Sequence, residues 1–159
     1  MSESNIERFD EITGKIFAHL YQHFPVPTRL EPEIAGVTMQ KRVFDPVTEE
    51  GYGGAQDLTE IERETVDFFV HSAKWLAKAG YIDILISSST GFIDVTLTAK
   101  GLEVLKATPK SLENSETLGQ QLIAATKGGF ADQIRDLTTS VLKRGVALAV
   151  TTASELAGS

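Results

Sequence analysis

The chain has 159 residues, 15 of them basic and 22 acidic, for a net charge of −7. That length suits one domain with a small extension, and the charge repels nucleic acid and anionic membranes on average. Cysteine is absent, so neither disulfides nor thiolate chemistry can operate.

No apolar run approaches the length of a bilayer span. The opening residues, MSESNIERFDE, are acidic and polar, unlike a secretory leader. A cytoplasmic protein without membrane contact is the expectation.

Residues 5–24 read as a first helix, with Ile6, Phe9, Ile12, Ile16, Phe17, Leu20 and Phe24 along one face and Pro25 and Pro27 ending it. Gly14 weakens that helix. Thr28 to Ala35 reads as a short second helix closed by Gly36. Residues 43–57, with Pro46, three glycines and few aliphatics, read as a loop, either functional or mobile. Asp45, Glu49 and Glu50 lack the spacing of a calcium loop and read as solvated acids.

A second long helix follows. Ile61, Thr65, Phe68, Phe69, Ser72, Trp75, Leu76 and Ala79 recur at steps of three and four, the signature of one helix face. Asp57 or Thr59 caps its start, Glu60, Glu62 and Glu64 suit the positive end of its dipole, and Gly80 closes it. Residues 81–86 read as a strand, Ser87 to Gly91 as a hairpin tip, and Phe92 to Leu97 as a second strand of alternating character. Thr98 caps a helix that ends by Pro109.

Beyond Pro109 the character changes. Residues 110–117 are polar and read as a connection. Leu118, Leu122, Ile123 and Ala125 predict a helix closed by Gly128 and Gly129, and a last helix runs from Phe130 to about Val150, with the tail TTASELAGS frayed. The run GVALAV at 145–150 is apolar nearly all round and needs a partner. Either the extension folds back on its own domain or it dimerises; a homodimer through 118–150 is the expectation. Its polar face has too few lysines and arginines for a membrane-surface helix.

The segment WLAKAGYI, a short hairpin, and then VTLTAKGLEVL resembles the C-terminal half of a winged helix-turn-helix domain. In such domains a helix ends in a Gly-aromatic-Ile step, a β-wing follows, and a Leu-Thr-x-x-Gly turn opens another helix. The resemblance covers residues 60–107, and more loosely 5–107. It implies a mainly α fold with a two-stranded antiparallel β-wing, a winged helix-turn-helix core in residues 1–109 and a C-terminal helical extension in 110–159. It also implies that the helix from Glu62 to Ala79 is the recognition helix. The 43–57 segment departs from the tight turn of standard winged helices.

Two functions compete. Arg63, Asp67, His71, Lys74 and Lys78 lie on the face opposite the apolar stripe. In a DNA-binding transcription regulator acting as a dimer, Arg63 or His71 would meet bases, and Lys74 and Lys78 phosphates. Against this, the wing tip SSSTG has no basic residue and three glutamates crowd the leading end of the helix. Residues 1–70 hold six basic and fourteen acidic residues, net −8, against nine and eight, net +1, in 71–159. Phosphate contacts dominate DNA affinity, so the alternative is a winged-helix protein-protein interaction module with no DNA binding.

An enzyme ranks third. No GxSxG, P-loop or GxGxxG motif occurs, and the glycines of GYGG at 51–54 have no lysine beside them. His19 and His23, four apart in HLYQH, have a spacing that can hold zinc, with His71 as the only third histidine. The motif lacks the glutamate of HExxH, so no metal, cofactor or catalytic residue is expected.

Overall fold

Proline, glycine and hydroxyl caps punctuate the chain. The computed structural model describes residues 2–108 and 116–157. The first helix, α1 (Asn5–His23), opens with a capping box in which Ser4 accepts from the Glu7 N–H and Glu7 accepts from the Ser4 N–H. The second long helix, α2 (Glu60–Lys78), opens the same way on Thr59 and Glu62, so Thr59 and not Asp57 is the cap. It ends at Gly80, whose φ of +86° is the left-handed conformation glycine adopts freely.

Between these helices the chain departs from expectation. Thr28–Leu30 is a strand, β1, and Pro32–Ala35 is a single 3-10 turn ended by Gly36. Only three residues separate Pro32 from Gly36, too few for an α-helix to form. The 43–57 segment contains a hairpin, β2 (Val43–Asp45) and β3 (Glu50–Tyr52), and a 3-10 turn at Gly54–Asp57. The hairpin connection is set by Asp45, whose carboxylate accepts from the Val47 N–H at 2.8 Å.

After Gly80 come β4 (Ile82–Ser87) and β5 (Phe92–Leu97), antiparallel, with Ile84 opposite Val95. β1 pairs with the other edge of β5, Thr28 opposite Val95, so the sheet has three strands in the order β1-β5-β4 and not the expected two. Thr98 caps α3 (Ala99–Lys106): its hydroxyl accepts from the Gly101 N–H and donates to the Gly80 carbonyl at 2.5 Å, tying the two ends of the hairpin together. The connection expected at 110–117 begins in residues that lie outside the described ones.

Among the described residues the fold is thus mainly helical, five α-helices with a small antiparallel sheet and a separate hairpin. The two last helices, α4 (Leu118–Gly128) and α5 (Ala131–Ala157), pack on α1. Leu118, Leu122, Ala125, Ile134 and Val141 are buried in the common core. Gly14 is what lets α1 and α5 approach: a Cβ there would run into Thr138, Ile134 and Leu122. Tyr81 fills the same junction, its ring edge-on to Phe17 and its hydroxyl donating to the Leu142 carbonyl. α5 runs on to Ala157 instead of fraying after Val150. The tail has no glycine or proline before Gly158, and Thr151 bonds back to the Ala147 carbonyl.

Candidate interaction surface

The stripe of α2 splits into two. Val66, Phe69, Val70, Ala73 and Leu76 face the core, with Phe69 against Phe92 of the sheet. The expected inward residues Ile61, Phe68 and Trp75 lie to one side of that face and are left partly or largely uncovered: Ile61 is 76% exposed and Trp75 50%. The reason is geometric. The core face of α2 turns toward the sheet, and on the flank carrying these three α1 brings Phe9 and Arg8 against Trp75 and Phe68, leaving Ile61 and half of Trp75 outside.

On α1, the same flank is met by Phe9, edge-on to Trp75 with ring centroids 5.3 Å apart, and by Arg8. Arg8 donates to the Thr65 hydroxyl at 2.9 Å and lies over the Phe68 ring. Ile6, Phe9, Phe68, His71, Ser72 and Trp75 line a depression of about 410 Å³ whose walls are almost wholly apolar. Ile6, 70% exposed, is also shared with a second depression toward α5, lined by Asp10, Thr139, Leu142, Lys143 and Val146. Burial raises the Asp10 carboxyl above the usual carboxylate range, against the pull of the Thr139 hydroxyl and the Arg135 charge. Ile6 thus stands between the depression on α2 and the one toward α5, the second of which also carries Asp10 and Lys143.

The four proposed nucleic-acid contacts all lie on the exposed side of α2 but are not alike. Arg63 donates to the Gln56 carbonyl at 3.2 Å, so it braces the 3-10 turn that precedes α2. It also lines a shallow depression with Ala55, Leu58 and Thr90 of the hairpin tip. His71 is a wall of the apolar depression. Lys74 and Lys78 are exposed and, among the described residues, have no ion-pair partner. Glu60, Glu64 and Asp67 are exposed on the leading half of the same helix. The wing tip is held by Ser88, whose hydroxyl accepts from the Gly91 N–H and donates to the Gly91 carbonyl.

His19 and His23 do stack on one side of α1, with ring centroids 4.5 Å apart. Their nitrogens are engaged with the backbone: His19 Nε2 lies 3.0 Å from the Arg29 carbonyl and His23 Nδ1 2.8 Å from the His19 carbonyl. Burial, helped by the neighbouring His23, holds His19 below the ordinary imidazole range. His71 is beside Ile6 and Phe9, more than two helical turns away along α1. Among the described residues no group of three or more His, Asp or Glu is placed to hold a metal ion.

Much of the apolar seam expected to dimerise through 118–150 is consumed within the chain; Phe130, Val146 and Val150 remain outside. Among the described residues no helix is long and apolar enough to cross a membrane. No protein-family model matches the chain, and no curated protein or solved structure matches it.

Proposed function

We propose that this protein is a winged-helix module that binds another protein surface through the apolar face of α1, α2 and α5, and does not read DNA. The winged-helix part of the reading is supported by element order, once the β2–β3 hairpin and the 3-10 turn after it are set aside: helix, strand, a helical turn, helix and hairpin, with strand order β1-β5-β4. The observation that carries the function is the half-exposed Trp75 in a depression walled by Ile6, Phe9 and Phe68. Tryptophan at the centre of an apolar surface is the residue most often responsible for protein contact energy, and contiguous exposed apolar patches are uncommon on monomers.

A regulator that lays α2 in the major groove is the second reading, supported by the exposed Lys74 and Lys78, which have no ion-pair partner among the described residues. It is weakened by the acidic leading half of α2, by the use of Arg63 as an internal brace, and by the β2–β3 hairpin inserted where a helix-turn-helix needs a tight turn. Duplex binding measured by anisotropy across a salt series decides between them. The protein-contact reading expects no binding even at about 50 mM salt. A duplex complex whose affinity falls steeply with salt and is weakened by Lys74→Glu would overturn it.

A further inference from the structure

The outward face of α2 has an ordering of charge that its composition alone hides. Glu64, Asp67, His71, Lys74 and Lys78 follow one another at steps of three and four, so they form a single row along the helix. All five are exposed, and among the described residues none of the four charged ones has an ion-pair partner. The row is antisymmetric about its middle. Glu64 and Lys78 each lie seven residues from His71, on opposite sides; Asp67 and Lys74 lie four and three residues from it. Beside this row runs the unfilled apolar stripe of Ile61, Phe68 and Trp75, which recurs every seven residues.

A helix face of this kind is complementary to itself turned end for end. We infer that the protein covering the α2 face is a second copy of this chain, packed antiparallel with His71 near the two-fold axis. In that arrangement Glu64 of each copy meets Lys78 of the other, and Asp67 meets Lys74, while Trp75 and Phe68 of both copies meet beneath them, flanked by Ile6 and Phe9. An isologous contact requires this reciprocity, in which each residue's partner is matched by the converse pair. A uniformly acidic partner would be repelled by Glu64 and Asp67, and a uniformly basic one by Lys74 and Lys78. The net charge of −7 opposes the approach of two copies, so local pairing and apolar burial must carry the contact. The inference rests on the reading of this face as a protein contact.

Charge reversal tests it without touching the core. Sedimentation of the full chain, with emission of Trp75, the single tryptophan, as a reporter of burial, measures self-association. The wild type is expected to form dimers, with Trp75 emission moving to the blue as concentration rises. Glu64→Lys and Lys78→Glu, both at exposed positions, each place like charges across the axis and weaken association by about tenfold or more. An equimolar mixture of these two variants re-forms both opposite-charge pairs and returns to wild-type strength, as does a chain carrying both changes. A wild type that stays monomeric from about 1 μM to about 1 mM overturns the inference, as does unaltered association of the single variants or failure of the mixture to recover. A persistent monomer leaves the broader protein-contact reading standing, whereas salt-sensitive duplex binding lost in Lys74→Glu removes that reading itself.

Discussion

Gly14 offers a test in which two terms of opposite sign compete. It lies in the middle of α1, where replacing glycine by alanine in an open helix gains about 1 kcal/mol from the reduced freedom of the unfolded chain. Here a Cβ would overlap both Thr138 and Ile134 of α5. Neither neighbour can step aside easily. Both are β-branched and stiff at χ1, both are fully buried, and the Thr138 hydroxyl donates to the Ile134 carbonyl at 2.8 Å. α5 itself must move, and overpacking of this kind costs about 1–3 kcal/mol. The overlap involves two rigid contacts at once, so it outweighs the propensity gain, and Gly14→Ala is expected to destabilise the chain by about 1 kcal/mol net. For a chain of this size that lowers the melting temperature by about 2–4 °C. Urea and thermal unfolding of the two proteins measure it. In a double-mutant cycle, Ile134→Ala should cost less in the Gly14→Ala background, with a coupling of about 0.5 kcal/mol or more. A Gly14→Ala protein more stable than the wild type would refute the close passage of α5 over α1.

Thr98→Ala removes both the cap of α3 and the bond to the Gly80 carbonyl and is expected to cost about 1–2 kcal/mol in chemical denaturation. His19 has its pKa depressed by burial and by His23, so the unfolded chain takes up the proton first; the stability present above pH 6.5 is lost as pH falls below it. Urea midpoints compared between about pH 7.5 and about pH 5 should fall for the wild type and fall less for His19→Gln. Leu85 stands exposed on the free edge strand β4, and Leu85→Lys should leave stability within about 0.5 kcal/mol while reducing aggregation on heating, read by light scattering.

The parts of the fold most legible in the sequence were those fixed by local chemistry. Thr59 and Thr98 each accept from the backbone N–H three residues on, and Gly80 and Gly129 turn left-handed after their helices, so these element ends could be read from residue type; the like cap at Thr117 was passed over as part of a polar connection. β1 was not legible, because three residues between prolines have no period of their own and become a strand only through β5. The β2–β3 hairpin carried a faint signal in Val43, Phe44 and Tyr52 around an Asp-Pro turn, outweighed in composition by its glycines. The candidate surface was half legible. Periodicity placed Ile61, Phe68 and Trp75 on an apolar stripe, but a stripe wider than the core has room for does not say which edge stays outside. That depends on where the sheet sits. Arg63, His71, Lys74 and Lys78 are exposed, but spacing did not show that His71 borders the apolar depression or that Arg63 is a brace, whose partner is a backbone carbonyl.

The late helices have a consequence for how the chain is made. α1 emerges well before α4 and α5, yet the groove at Gly14 and the flank at Tyr21, whose hydroxyl meets Thr117, are filled only by residues more than ninety positions later. At ordinary elongation rates those partners arrive on the order of ten seconds after α1 itself. During that interval the nascent chain shows an oily strip to water or to a chaperone, and the order of synthesis, more than the finished architecture, sets when it is most at risk of sticking to its neighbours.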